Sequence, residues 1–130
     1  NLGVAYADLG ETRKAIVYHE KALVIVRDIG DRRGEGADLG NLGVAYKNLG
    51  ETRRAIEFYE QYLAIAREIG DRRGEGTALF NMGLAYQKLD DPARARQLGQ
   101  QALEIFVAIE SPSVEKVRKW LEGLGTKDEG

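Results

Sequence analysis

The chain has 130 residues, the length of one domain, with 43% hydrophobic and 31% charged residues, an ordinary globular balance. Lys+Arg number 19 against 21 Asp+Glu, a net charge of −2, so no surplus of positive charge is available to neutralise phosphates, and a nucleic-acid partner is disfavoured. Cysteine is absent and His19 is the one histidine, which removes disulfides, thiolate metal sites and thiol nucleophiles and leaves little for histidine catalysis.

In chain order, Asn1-Leu-Gly-Val-Ala-Tyr6 returns as Asn41-Leu-Gly-Val-Ala-Tyr46 and as Asn81-Met-Gly-Leu-Ala-Tyr86, a period of 40 residues. Residues 1–40 and 41–80 agree at 26 positions and differ at 14. The spacing predicts a short first helix from Asn1 to Leu9, closed by Gly10. Helices over Thr12–Ile29, Arg32–Leu49, Thr52–Ile69, Arg72–Leu89 and Pro92–Ile109 follow. Leu42, Tyr46 and Leu49 mark one apolar face; Ala55, Ile56, Tyr59, Leu63, Ala66 and Ile69 mark the next. Gly50 suits the left-handed residue that ends a helix, and Asp90 tolerates that conformation. Asp91-Pro92 then reads as a cap followed by proline at the first helical position. A last helix begins near Ser111-Pro112 and carries Val114, Val117, Trp120 and Leu121; Gly123 to Gly130 reads as a frayed tail. The expected domain is therefore 1–122, with repeats about 1–31, 32–71 and 72–110, a capping or partial-repeat helix 111–122 and a flexible tail 123–130. Asn1 is not an initiator methionine, so a fragment or a processed product is expected.

Leu39-x2-Leu42-Gly43-x2-Tyr46 with Ala55-x3-Tyr59, and Leu79-x2-Met82-Gly83-x2-Tyr86 with Ala95, resemble the tetratricopeptide repeat signature over about residues 1–110. The period of 40 exceeds the usual ~34 and is similar to the long-repeat branch of kinesin light chains, Pins-type adaptors and bacterial multidomain regulators. HEAT and armadillo repeats share the period but not the Leu-Gly-x2-Tyr pattern. The resemblance implies an all-α solenoid of stacked helical hairpins and a non-catalytic module that binds a protein or peptide, with no cofactor and no metal. Neither nucleic acid nor membrane is expected as a partner, since no apolar run approaches the ~18 residues of a membrane helix. A cytoplasmic setting is expected, which the absence of cysteine fits. The alternative is a regulatory or self-associating segment of a larger bacterial signalling protein.

This chain departs from the family pattern at several places. Arg27, Arg67 and Val107 stand where a proline usually follows the second helix. Tyr62 occupies a small-residue site and Gly99 an aromatic one. The pair suggests that the Tyr62 ring fills the space near Gly99.

In such domains the first helix of each pair lines the inner groove. Asn1, Asn41 and Asn81 then form a ladder whose amides suit a peptide backbone, offering donor and acceptor together. Val4, Val44 and Leu84 lie beside it; Ala37, Gly40, Thr77 and Phe80 lie further up; Lys47, Asn48, Gln87 and Lys88 form the lower rim. The charges of a carboxylate clamp are missing, since Gly40, Val44, Phe80 and Leu84 hold those sites. Gly34-Glu-Gly36 and Gly74-Glu-Gly76 lack nucleotide-loop spacing and context. Asp90-Asp91 reads as a helix stop and cap, and His19 as a packing residue. Arg32-Arg33 and Arg72-Arg73 read as surface partners of Glu35 or Asp28 and of Glu75 or Glu68. Gly3, Gly43 and Gly83 sit mid-helix, where close helix approach explains them. At the N-terminal end the counterparts of Arg33–Gly40 are missing, so Ala22, Ile25 and Ile29, with Val17 and Val24, should lack cover. Self-association through that end, or fraying of residues 1–9, is expected, with the other end closed under Val117, Trp120 and Leu121.

Overall fold

A computed structural model describes residues 2–129, and the side chains of residues 10–124. Among these are six helices and no strand: α1 (Leu2–Ile29), α2 (Arg32–Asn48), α3 (Thr52–Ile69), α4 (Arg72–Lys88), α5 (Pro92–Ala108) and α6 (Val114–Glu129). Each helix packs on the next in the chain, as an α-solenoid requires.

The punctuation follows local chemistry. Asp31, Asp71 and Asp91 cap α2, α4 and α5, their carboxylates accepting from the backbone N–H of Gly34, Gly74 and Arg94 at 2.9, 3.0 and 3.1 Å. Gly30, Gly50 and Gly70 take left-handed φ values of 73°, 82° and 72°, and Asp90 takes 62° in the same role.

Two expected boundaries differ. The turn at Gly10 is not made, and Leu2–Ile29 is one helix of 28 residues. Extending a nucleated helix costs little, and α1 runs on through Gly10. Near the other end the helix begins at Val114 rather than at Ser111-Pro112, after a turn in which the Ser111 hydroxyl accepts from the Ser113 N–H at 3.0 Å. It then continues through residue 123 to Glu129 instead of giving way to a tail. Leu124, 1% exposed, lies one more step along the Val117–Trp120–Leu121 stripe, so its burial carries the helix past Gly123.

The core is built on glycines facing rings. A Cβ on Gly43 would lie 2.5 Å from the Tyr59 ring, so α2 and α3 approach closely only because Gly43 has none. In the next repeat Gly99 replaces the Tyr59-type ring. Its space is filled from α6: a Cβ there would meet Trp120 at 2.5 Å, and one on Gly83 would meet the same indole at 3.0 Å. The expected pairing of Tyr62 with Gly99 is therefore wrong. The Tyr62 ring lies over Gly36 and Gly40 of α2 instead, within 3.4 and 3.0 Å of their would-be Cβ positions. The exchange is between Gly40/Tyr62 in one repeat and Phe80/Ala102 in the next: small on large, then large on small, which keeps the interhelical volume about constant.

Charge crosses the repeat junctions. Glu35, 7% exposed, accepts from the Arg27 Nε at 2.9 Å and from Arg32 at 2.6 Å, while Arg32 also donates to both oxygens of Glu68 at 2.6 Å. Glu75 repeats the first part, with Arg67 at 3.1 Å and Arg72 at 2.7 Å. The pairing of the helix-opening arginines is as expected for Arg32 with Glu35 and Arg72 with Glu75. Glu68, expected beside Arg72, pairs with Arg32.

Candidate functional site

The inner-helix positions are carried by α2 and α4, which flank two clefts. One, of about 230 Å³, is lined by Ala37, Gly40, Asn41 and Val44 of α2, Tyr62 of α3, and Thr77 and Asn81 of α4. The other, of about 640 Å³, lies toward the C-terminal ends of the same helices and is lined by Lys47, Asn48, Thr52, Leu84, Ala85, Gln87 and Lys88. A third, of about 210 Å³, opens between α1 and α2, where Thr12, Ala15 and His19 face Asn41, Val44, Ala45 and Asn48.

Nine of the sequence-derived residues thus have described side chains, and eight line these clefts: Asn41, Val44, Lys47, Asn48, Asn81, Leu84, Gln87 and Lys88. Phe80 does not. It is 9% exposed, edge-on to Trp120 with ring centroids 5.4 Å apart and beneath the Lys116 ammonium, because α6 covers it. The side chains of Asn1 and Val4 lie outside the described residues. Asn41 and Asn81 share one cleft, and Val44 is 37% exposed beside them, so an amide pair and an apolar surface are both open.

The sequence reading missed Tyr62, which forms the floor of the smaller cleft. The signal was present, since Gly36 and Gly40 at helical spacing leave room for a ring. His19 is largely covered, its Nδ1 lying 3.3 Å from the Asp38 carboxylate and its ring standing edge-on to Tyr18. The chemistry on offer is recognition by amides, ammoniums and apolar surface. Among the described residues no group of three His, Cys, Asp or Glu could hold a metal ion, and no helix is long and apolar enough to cross a membrane.

Two antiparallel helices per 40-residue period, glycine under ring, and a groove lined by every second helix define a helical-repeat solenoid. A sequence profile of the tetratricopeptide repeat matches residues 1–68 and 63–106, and the chain belongs to that family. Family members are generally non-catalytic and act in protein–protein interaction.

Among solved structures, the apo form of RapI superposes with a TM-score of 0.87 at 22% identity, over 95% of this chain and 46% of that one. BtubC (BKLC) from P. vanneervenii gives 0.83 at 26%, over 92% and 50%. A kinesin-light-chain protein of nearly identical TPR-like repeats from Podosopora anserina gives 0.75 at 22%, over 95% and 62%. The chain therefore spans about half the length of the first two, and the likeness concerns the fold. No curated protein sequence matches it significantly.

Proposed function

We propose that this domain is a non-catalytic binding module that holds an extended or helical segment of another protein along α2 and α4. One observation carries the reading: Asn41 and Asn81, one period apart, stand in the same cleft with Val44 beside them. Two amides present donor and acceptor pairs to a peptide backbone, and the apolar wall takes a side chain. Asparagine has poor helix propensity, so two of them at equivalent open positions are not there for the helix. Asn41→Ala combined with Asn81→Ala should abolish capture of partner proteins while circular dichroism and the unfolding midpoint stay unchanged; each lost central contact is worth over ~1 kcal/mol. A double variant that binds normally overturns the reading.

A specific observation favours a second reading, self-association through α1. Val17, Tyr18, Val24, Ile25 and Ile29 are 49%, 68%, 60%, 60% and 72% exposed. Ile65, the counterpart of Ile25, is 5% exposed under Gly36 of its own hairpin. The α1 face is thus the one that an inner helix covers elsewhere in the molecule. A second copy of the chain would cover it in the same way.

A further inference from the structure

The outward face of α1 differs from its repeat copies in a way that cover by an inner helix does not explain. Ile16 and Leu23 turn into the core and are buried. On the opposite side of the helix, seven residues apart, lie Lys14, Lys21 and Asp28, all exposed. Val17 and Val24 flank that charged line on one side, Tyr18 and Ile25 on the other. The positions of Val17 and Val24 face solvent in every repeat. Their counterparts are Glu57 and Ala64 in α3, and Gln97 and Glu104 in α5, all exposed although both helices are packed between neighbours. Two valines at such positions point to a contact on the outer surface of the solenoid.

The charges select the occupant. The stripe is complementary to itself when reversed. Two copies of α1 laid antiparallel about a two-fold axis at residue 21 bring together positions whose numbers sum to about 42. Val17 then meets Val24 of the second copy, Tyr18 meets Ile25, and Lys14 meets Asp28, each contact being made twice by symmetry. Lys14 has only the exposed Glu11 beside it, at 3.7 Å, a pair worth little. Asp28 makes no ion pair among the described residues. A parallel arrangement sets every residue against itself, so Lys14, Lys21 and Asp28 would each face their own charge. The antiparallel one leaves a single like-charge meeting, Lys21 on the axis, whose long stem lets the ammonium turn to solvent.

We propose that a second copy of this chain docks on the outer face of α1 as an antiparallel helix pair, with Val17 on Val24, Tyr18 on Ile25 and Lys14 on Asp28 across a two-fold axis at Lys21. This rests on the self-association reading above and names its orientation, register and charge pairing. None of these residues lines a cleft, so the clefts along α2 and α4 stay outside the contact.

The chain has no cysteine, so introduced thiols report the register without background. Helices ~8–10 Å apart bring facing Cα atoms to about 5 Å, within disulfide reach. Val17→Cys and Val24→Cys chains, mixed at micromolar concentration and mildly oxidised, should form a covalent heterodimer. Each alone should stay largely uncrosslinked, because either residue lies roughly 9–12 Å along the helix pair from its own copy at ~1.5 Å per residue. Lys14→Glu should raise the dimer Kd about tenfold in low-salt sedimentation equilibrium, since two pairs turn from attraction to repulsion, and adding Asp28→Lys should restore it. Lys21→Ala should tighten the dimer. All these side chains are exposed, so circular dichroism of the monomer should not change. A Val17→Cys chain that closes on itself, a dimer indifferent to Lys14→Glu, or one weakened by Lys21→Ala overturns the proposal. If Val24→Glu with Ile25→Lys still disperses that dimer, self-association through α1 stands with another register. A chain that stays monomeric throughout the micromolar range overturns both.

Discussion

Tyr59 carries the clearest tension between packing and polarity in the chain. Its ring is what Gly43 makes room for, yet its hydroxyl is buried without a hydrogen-bond partner. Burial disfavours the phenolate and pushes the Tyr59 pKa up to about 12. A group whose folded pKa exceeds its unfolded value near 10 stabilises the fold in full below that value and loses its contribution as pH rises toward the folded pKa. Tyr59→Phe keeps the ring and removes the orphan hydroxyl, so it should leave stability unchanged or raise it by up to ~1 kcal/mol in urea unfolding at neutral pH. The gap between variant and parent should widen between about pH 10 and 12. A variant less stable than the parent means the hydroxyl has a partner after all. The motif Leu-Gly-x2-Tyr made Gly43 legible as a close approach. It did not reveal that the ring filling Gly99 comes from Trp120, because that contact joins helices that no repeat period relates.

Helices and their ends offer two tests, one of backbone and one of charge. Gly10 and Gly50 are the same position in successive repeats, but Gly50 is left-handed at φ 82° and Gly10 lies inside α1 with open space where a Cβ would stand. Gly10→Ala should therefore stabilise by about 0.5–1 kcal/mol, as alanine does in a helix interior, whereas Gly50→Ala should destabilise by ~1 kcal/mol or more. Equal losses at both sites, read from thermal unfolding, would mean that the chain turns at Gly10 as its repeat suggests. Glu35 tests the junction. Its hydrogen bond from Arg27, and then that from Arg32, hold its carboxyl below the usual range, and Arg32 does the same to Glu68. A depressed carboxylate stabilises the fold above its unfolded pKa near 4.3, and that stability is lost as pH falls through the folded value. Glu35→Gln should cost about 1–2 kcal/mol at pH 7, discounted because both arginines are nearly half exposed. It should also flatten the acid limb of the stability profile below about pH 4.5. An unchanged acid limb would show that the junction charges do not couple the repeats. That arginine would meet acid here was readable from the local Arg-x2-Glu spacing. The reach of Arg32 to Glu68 was not, since it depends on how α2 lies against the end of α3.

At the scale of the whole molecule the two ends are unequal. The C-terminal end is closed: Val117 and Leu124 are 0% and 1% exposed, and Trp120 and Leu121 pack on the core of α4 and α5. The exposure of Ile25 on α1 stands out against its repeat copy Ile65, which lies under Gly36 of α2; Tyr18 was not among the residues expected to lack cover. An α-helix exposing Tyr18, Val24, Ile25 and Ile29 in neighbouring turns presents a contiguous apolar stripe, and such stripes mark contact surfaces. If a second copy covers it, the contact is isologous and closes as a dimer. Val24→Glu with Ile25→Lys should then convert a micromolar dimer to a monomer in sedimentation equilibrium. The midpoint of unfolding, extrapolated to low protein concentration, should not fall, because these side chains support no other helix. It should instead lose its dependence on concentration, the signature of association coupled to folding. A parent chain that sediments as a monomer throughout the micromolar range would rule out the second copy as occupant of that face.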